Sequence, residues 1–288
     1  MIARPESAEA LRNAPAALQA GVSCFSTLGC PELSLAESAA LARAFHVPHL
    51  ELRAVESRTD LPVVLAAFPG GWAGVREHLR LHNVSAQILG TSFKLIGGSA
   101  GDWNELLTFA RLAEALDVPW LRAFSGGTWG EPVTEADCAA AAASVRRWRD
   151  EKMRNHWRVD LLVETHDAFS ASEPCRRLLG RLDDPVGILW DSHHTWRLGG
   201  EEPWETWNAL GPHIRHVHLK DSIGVPSARH PFTYVRPGQG EMPVDCVLEV
   251  LAREGFSGAV SLEWEKMWHP YLPPLAEALA ACRDKGWL

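Results

Sequence analysis

Residues 214–222 read IRHVHLKDS, and this stretch carries the alternation that decides the fold. Successive side chains of a β-strand point to opposite faces, so His216, His218 and Lys220 share one face, while the valine and leucine between them share the other. Seven more short runs rich in apolar and β-branched residues occur along the chain, separated by longer amphipathic segments rich in Ala, Leu, Arg and Glu. This regular alternation predicts repeated βα units around a parallel sheet.

Eight strand and helix pairs in 288 residues favour an α/β fold of the (β/α)8 TIM-barrel type, formed by a single domain over residues 1–288. The competing fold, an open doubly wound sheet, is disfavoured because the segment after the first strand, STLGCPEL, lacks the G-x-G-x-x-G turn. The predicted strands are GVSCFS from Gly21, HLELR from His49, VSAQIL from Val84, PWLRAF from Pro119, VDLLVE from Val159, VGILWD from Val186, IRHVHL from Ile214 and AVSLEW from Ala259. The predicted helices begin at Ser34, Gly74, Trp103, Thr134, Ser172, Pro203, Pro243 and Leu272.

Composition and charge argue against several classes of function. Hydrophobic residues make up 46% and charged residues 22% of the chain, and no apolar stretch approaches the roughly 18 residues of a membrane span. The formal net charge is −8 without a Lys/Arg block, which argues against a nucleic-acid partner. Residues 1–20 are alanine-rich and charged, which predicts a leading helix rather than a secretory signal. The six cysteines are scattered without a C-x-x-C pair, which favours reduced thiols in a cytoplasmic protein.

Four ionisable side chains lie at the ends of consecutive predicted strands. A typical parallel strand is buried on both faces and reads as a continuous apolar run, whereas strands 5 to 8 of this chain carry carboxylates or histidines on one face. Active sites of (β/α)8 barrels lie at the carboxyl ends of the strands, where these side chains would meet. Each one alone fits an ion pair or a hydrogen-bonded core residue, but together they predict one divalent cation, Mn²⁺, Mg²⁺, Co²⁺ or Zn²⁺. The predicted ligands are Glu164, Asp191, His218 and Glu263.

Other polar side chains are predicted to surround this cluster and to bind substrate. Glu51 and Arg122 lie on the inner faces of the second and fourth strands, and Lys220 stands near the mouth of the barrel. Trp268 falls in the loop after the eighth strand, where an indole ring could stack on a sugar. His216 lies one layer below the predicted metal and is expected to support it from the core.

The chain resembles the xylose isomerase-like TIM-barrel superfamily of sugar phosphate isomerases and epimerases. The matching segments are LLVETHD, ILWDSHH, HVHLKDS, GQGEMPV and GFSGAVSLEWE from the fifth strand onwards, together with ELR at the second strand and LRAFSGG at the fourth, so the resemblance covers nearly the whole chain. The resemblance implies that Glu164, Asp191, His218 and Glu263 are the shared metal ligands. In ketose 3-epimerases of this group the two glutamates also flank the substrate carbon, where one removes a proton and the other returns it.

The resemblance also implies two substrate contacts. His194, three residues after the aspartate of the sixth strand, matches a substrate-binding histidine of the ketose 3-epimerases. Those enzymes have an arginine where this chain has Gly224, so Arg229 or Arg236 is expected to replace it.

The residue types fit a reaction that starts by removing a proton next to a carbonyl. Such a proton is too weakly acidic to leave unaided, but a divalent metal on the substrate oxygens stabilises the enediolate that forms, and Glu164 or Glu263 then suffices as base. The sequence therefore predicts a metal-dependent isomerase or epimerase of a small sugar or polyol, phosphorylated or free, with manganese among the candidate metals. The alternative is a dehydratase of a keto-inositol or keto-sugar, in which Lys220 or His194 assists the departure of hydroxide.

Two other functions belong to different classes. An endonuclease of the same barrel family would need extra histidines and a basic face, whereas the third strand, VSAQILG, ends without a histidine. A non-catalytic sugar-binding protein would hold the same ligands without turnover. The sequence leaves open whether the barrels associate into a homo-oligomer.

Overall fold

The strands of the protein were located in a computed structural model that describes residues 21–288; the leading helix predicted for residues 1–20 lies outside the described residues. The strands are β1 (Cys24–Ser26), β2 (His49–Leu52), β3 (Ser85–Lys94), β4 (Trp120–Phe124), β5 (Asp160–Glu164), β6 (Gly187–Asp191), β7 (Ile214–Leu219), β8 (Asp221–Ile223), β9 (Thr233–Val235) and β10 (Ala259–Leu262). All except β8 and β9 pair in parallel and close into a barrel in which β1 contacts both β2 and β10. The predicted (β/α)8 barrel and its eight strands are confirmed.

The helices that cover the barrel are α1 (Leu35–Ala44), α2 (Leu61–Ala66), α3 (Gly71–Leu81), α4 (Ala100–Leu116), α5 (Glu135–Asn155), α6 (Ser172–Leu179), α7 (Ser192–Arg197), α8 (Pro203–Leu210), α9 (Val244–Arg253) and α10 (Leu275–Asp284). Thr134, where a helix was predicted to begin, caps α5, and its side chain accepts a hydrogen bond from the backbone N–H of Asp137. α4 begins at Ala100 rather than at Trp103, because Ser99 forms a capping box with the aspartate three residues later. Within the described residues, none of these helices is long and apolar enough to cross a membrane.

Four of these strands and helices were not predicted, and three of them shape the mouth of the barrel. The α7 helix follows β6 directly, because Asp191 ends the strand and its carboxylate accepts a hydrogen bond from the backbone N–H of His194. The antiparallel pair of β8 and β9 is anchored by Asp221, whose carboxylate accepts hydrogen bonds from the backbone N–H groups of Gly238 and Gly240. A Cβ at Gly240 would lie 2.1 Å from that carboxylate, so only glycine fits there. The fourth unpredicted element is the short helix α2.

The two faces of each strand have different surroundings. The outward residues, such as Val163 on β5 and Trp190 on β6, pack against the helices in one continuous apolar core. The inward residues of the lower barrel form a small separate cluster of Ile88, Leu162 and Leu189, which Trp120 covers. Above this cluster the inward positions are polar or charged, and the barrel strands deliver these groups to its carboxyl end.

Candidate metal centre

The four predicted ligands converge at the carboxyl end of the barrel. Glu164 and Asp191 are the last residues of β5 and β6, His218 lies in β7, and Glu263 follows β10 directly. All four are buried, and one ligand atom from each lies within 4.8 Å of the others. The alternation along the strands therefore brings together the side chains that the sequence singled out.

The spacing within this cluster suits a shared cation. His218 Nδ1 lies 3.2 Å from Glu164 Oε1, 3.1 Å from Glu263 Oε2 and 3.9 Å from Asp191 Oδ2. Two ligands about 2.1 Å from one cation, at the angles of tetrahedral or octahedral geometry, are about 3.0 to 3.4 Å apart. Two of the three separations fall in this range, and the third needs only a small adjustment of the Asp191 side chain.

The hydrogen-bonding state of the same atoms also fits a cation. Glu164 Oε1, Asp191 Oδ2 and His218 Nδ1 are buried and have no hydrogen-bond partner of acceptable geometry. The ammonium of Lys220 lies 2.8 Å from Asp191 Oδ2, but the angles at this contact are not those of a hydrogen bond. Buried polar atoms are rarely left in this state, because each loses its hydration without compensation. A divalent cation with nitrogen and oxygen ligands would satisfy all three atoms at once.

The ring of His218 is held from below by a carboxylate. Its Nε2 lies 2.8 Å from Glu51 Oε2, which also lies 3.1 Å from His216 Nε2. A proton on Nε2 that is donated to Glu51 leaves Nδ1 free as a metal ligand, which is the usual support for a ligating histidine. Glu51 was predicted to bind substrate, but it is 1% exposed and lies behind the histidine, away from the cavity.

The protonation of His218 is linked to the surrounding carboxylates. Burial lowers the pKa of His218, but the charges of Glu263 and Glu51 outweigh burial and raise it well above its ordinary value. The imidazolium therefore neutralises part of the negative charge in the cluster. Cation binding at Nδ1 requires loss of this proton, so the affinity for a metal is expected to rise with pH.

Lys220 is buried among three carboxylates. Its ammonium lies 2.8 Å from Asp191, 2.5 Å from Glu263 and 2.7 Å from Glu265. Burial lowers the pKa of Lys220, but the charges of Asp191 and Glu263 raise it well above its ordinary value. Burial likewise raises the pKa of Glu265, and the lysine more than offsets this and brings it to about 2. Lys220 is thus a charged hydrogen-bond donor at the level of the ligands, and its raised pKa means that it holds its proton firmly.

Arg122 and His194 contact the ligands from opposite sides. The guanidinium of Arg122 donates to Glu164 Oε2 over 2.6 Å and lies 3.8 Å from the centre of the Phe124 ring. Burial raises the pKa of Glu164, but the charge of Arg122 holds it well below its ordinary range. His194 Nδ1 lies 3.0 Å from Asp191 Oδ2, and burial lowers the pKa of His194 to about 4, so its ring is neutral at pH 7.

A cavity of about 370 Å³ opens above the cluster. Of the predicted substrate-binding residues, Arg122 and Trp268 line it, together with Glu263. Arg236 does not, because it is exposed and pairs with Glu277 of α10. The alternative arginine, Arg229, lines the cavity. The other lining residues, which the sequence analysis did not single out as site residues, are Leu28, Arg53, Phe124, His166, His230, Glu265 and His269.

Four of these residues had a signal in the sequence. His166 and Glu265 each lie two positions after a predicted ligand, and Arg53 and Phe124 each lie two positions after a predicted substrate-binding residue, so the same alternation directs all four inwards. His166 Nδ1 contacts the carboxylate of Asp167 at 2.8 Å. The other three residues, Leu28, His230 and His269, lie in the connections after the strands and had no such signal, because their positions depend on how these connections fold back over the barrel.

A larger cavity of about 940 Å³ lies at the opposite end of the barrel, among strand starts such as Ser23 and His49. None of the four clustered ligands lines it. In this fold the chemistry belongs to the carboxyl ends of the strands, so the smaller cavity is the candidate active site.

Comparison with known proteins places the chain among related barrels. A family model described as xylose isomerase-like TIM barrel matches residues 35–285. A sequence comparison with curated proteins finds no match. Among solved structures, the probable 3-DHS dehydratase AsbF from Bacillus anthracis superposes with a TM-score of 0.76 and 16% identity, over 92% of this chain and 98% of that one.

Two other solved structures are similarly related. The IolI protein with a bound zinc atom has a TM-score of 0.73 and 19% identity, over 91% of this chain and 95% of its own. The D-allulose 3-epimerase from Methylomonas sp. has a TM-score of 0.68 and 13% identity, over 94% of this chain and 99% of its own. At such low identities these similarities establish the fold alone.

Proposed function

The chain belongs to the xylose isomerase-like TIM-barrel family, and from this premise we propose that it is a divalent-metal-dependent isomerase or epimerase of a small sugar or polyol. The observation that carries the proposal is the cluster of Glu164, Asp191, His218 and Glu263, three of which present buried ligand atoms without hydrogen-bond partners. A zinc atom in one structural relative and a D-allulose 3-epimerase among the others support it.

The two glutamates are proposed to move the proton. His218 Nδ1 lies within 3.2 Å of both Glu164 and Glu263, which lie at the ends of different strands of the barrel; of the two carboxylates, Glu263 lines the cavity and Glu164 is buried beside it. Glu164 is ionised at neutral pH and can accept a proton, although the charge of Arg122 lowers its pKa and so makes it a weaker base. A divalent cation, when bound, supplies the positive charge that stabilises the enediolate oxygens. Removal by one carboxylate and return by the other inverts the carbon, whereas one carboxylate acting alone would isomerise the substrate.

Four of the other predicted residues, Arg122, His194, Lys220 and Trp268, are proposed to act on the substrate. The cavity of about 370 Å³ is at the small end of the range for ligand sites, which suits a single sugar ring. Trp268 provides an apolar wall, and Arg122 offers donors to hydroxyl or carbonyl oxygens. Lys220 does not line the cavity but contacts Glu263, which does. His194 is proposed to accept or donate a hydrogen bond at the level of the metal. The six cysteines are all free, and we place the enzyme in the cytoplasm on that basis.

A dehydratase is the second candidate, and the position of Lys220 favours it. A buried ammonium that contacts both Asp191 and Glu263 is placed to donate a proton to a departing hydroxyl group. The dehydratase among the structural relatives supports this alternative. Both reactions begin with the same removal of a proton and differ only in whether the β-hydroxyl group leaves.

The test is deuterium exchange in a panel of keto-sugars and keto-inositols incubated in D₂O with the manganese-loaded protein. We expect exchange next to the carbonyl, with an inverted or isomerised product for the first candidate and loss of water for the second. Glu164→Gln and Glu263→Gln are each expected to abolish exchange, while Glu249→Gln, an exposed position on α9, leaves it unchanged. Binding of these ligands without any exchange would contradict both candidates and indicate a sugar-binding protein.

A further inference from the structure

One buried arginine that lines the cavity has no carboxylate partner. Arg53 follows β2 and is 7% exposed, and its guanidinium donates only to Gly90 O over 3.5 Å and to Ser92 Oγ over 3.1 Å. Its neighbour Arg122, in contrast, donates to the carboxylate of Glu164. Among the described residues, no carboxylate oxygen lies within ion-pair distance of Arg53. The carboxylates nearby, such as Glu164 and Glu263, act on this charge only from a distance, and its guanidinium has no direct ion pair.

The surroundings hold Arg53 in a defined position. Its backbone N–H donates to Thr27 Oγ1 over 2.9 Å, which ties the end of β2 to the segment after β1. A Cβ on Gly90 of β3 would lie 2.6 Å from Arg53 Cδ and 3.2 Å from Arg122 Nη2. The absence of a side chain at Gly90 thus lets both arginines lie across β3. This arrangement forms a preorganised basic wall on one side of the cavity.

The charges around the cavity are separated in space. Arg53, Arg122 and Arg229 line it together with only two carboxylates, Glu263 and Glu265, both of which follow β10. Burial lowers the pKa of Arg53 to about 10, so the guanidinium remains charged at neutral pH. A buried charge without a partner is costly, and the planar fork of arginine matches carboxylate and phosphate groups. The missing partner is therefore expected on the ligand.

We propose that Arg53 binds an anionic group of the substrate, a carboxylate or a phosphate, at the basic wall of the cavity. The substrate class then narrows from sugars and polyols in general to sugar or polyol acids or phosphates. This inference rests on the proposed function, because it takes the reacting carbonyl of the same molecule to lie over the four clustered ligands. Arg53 is assigned to binding, and no proton passes through it.

The test compares ligands that differ in one group. Calorimetry on the manganese-loaded protein measures the Kd of D-glucitol, D-gluconate and D-glucitol 6-phosphate. We expect at least one anionic ligand to bind about 10-fold more tightly than D-glucitol, as for a charge-assisted hydrogen-bonded pair. In Arg53→Gln this preference falls to about 2-fold or less, while the Kd of D-glucitol stays within about 2-fold of the wild type. The anion with the larger preference identifies the group that the substrate carries.

Three further variants serve as controls for this test. Arg53→Lys keeps the charge without the fork and should retain part of the preference. Gly90→Ala displaces the Arg53 side chain without removing its charge, and should lower the preference in a protein that still folds. Arg253→Gln removes an exposed charge on α9, outside the cavity lining, and should leave the preference unchanged.

The outcomes separate this inference from the proposed function. A preference for an anion that survives Arg53→Gln means that the group binds the metal instead, and this overturns the assignment to Arg53. Equal binding of all three ligands overturns it as well. An anion preference that depends on Arg53, found in a protein without deuterium exchange, would leave the anion site standing and refute the proposed reaction.

Discussion

The interior of the barrel has two layers that the same strands stabilise in opposite ways. On β5, Leu162 lies in the lower layer and Glu164 lies two residues later in the upper one; on β6, Leu189 and Asp191 repeat this arrangement. The lower layer is apolar and packs on itself. The upper layer is a cluster of charges whose carboxylates lie within ion-pair distance of buried cationic groups.

The difference shows where the barrel is complete on its own and where it requires a ligand. The lower layer gains its stability from burial of apolar area, which needs no partner from outside. The upper layer contains five carboxylates and three permanently charged cations, so two negative charges remain in excess when His218 is neutral. The carboxylates are Glu51, Glu164, Asp191, Glu263 and Glu265, and the cations are Arg53, Arg122 and Lys220. One divalent cation would neutralise this excess. Stability is thus assigned to the lower layer and function to the upper.

The largest expected effect is in the upper layer, for Asp191→Asn. Asparagine retains the cap on α7, so the variant should fold, but it removes one negative ligand from the cluster. We expect the affinity for Mn²⁺ to fall by about 100-fold or more, and turnover to fall below detection. Calorimetric titration with Mn²⁺ and the deuterium-exchange assay measure the two effects. Wild-type affinity in a folded Asp191→Asn protein would show that the cluster does not hold the metal.

The next effect is in the lower layer, for Leu162→Ala. Loss of a buried leucine is expected to lower the free energy of unfolding by about 2 to 5 kcal/mol. A metal at about 100 times its Kd is expected to add about 3 kcal/mol to the stability of wild type and variant alike, because the two layers act independently. Urea unfolding with and without a chelator measures both quantities. A chelator effect that differs by more than about 1 kcal/mol between the two proteins would mean that the layers are coupled.

The two layers also differ in how far sequence could predict them. The period-2 alternation predicted the strands and directed Glu164, Asp191, His218 and Glu263 to one end of the barrel, because both depend only on strand geometry. The roles of these residues stay predictions. The same alternation directs Leu162 inwards, but it does not predict at which residue along a strand the inward side chains change from apolar to charged.

Other features depended on contacts that no local pattern encodes. Glu51 was correctly directed inwards, yet its position behind His218 follows from the stagger of β2 relative to β7 across the closed barrel. The choice between Arg229 and Arg236 depended on the course of a loop, and an ion pair with Glu277 draws Arg236 to the outside. Side-chain depth and loop paths therefore required the three-dimensional structure.

The smallest expected effect is that of Glu51→Gln, which changes the contact between Glu51 and the ring of His218. Burial raises the pKa of Glu51, but the charge of His218 and the hydrogen bonds of both histidines hold it well below its ordinary value, so the group is a carboxylate. Glutamine keeps the size and an acceptor oxygen but removes the charge that makes the His218 ring a stronger ligand. We expect the Kd for Mn²⁺ to rise by about 10- to 100-fold, with less loss than in Asp191→Asn.

The matched control for Glu51→Gln is Glu265→Gln, which removes a carboxylate from the same layer without contact to His218. The absorption spectrum of the Co²⁺-loaded protein reports ligand geometry and should shift in Glu51→Gln alone. Equal metal affinity and identical spectra in wild type and Glu51→Gln would show that Glu51 belongs with the lower layer as a structural group. A shift in the spectrum together with weaker binding would instead place the boundary between the two layers below Glu51, so that the carboxylate acts on the metal through the histidine it holds.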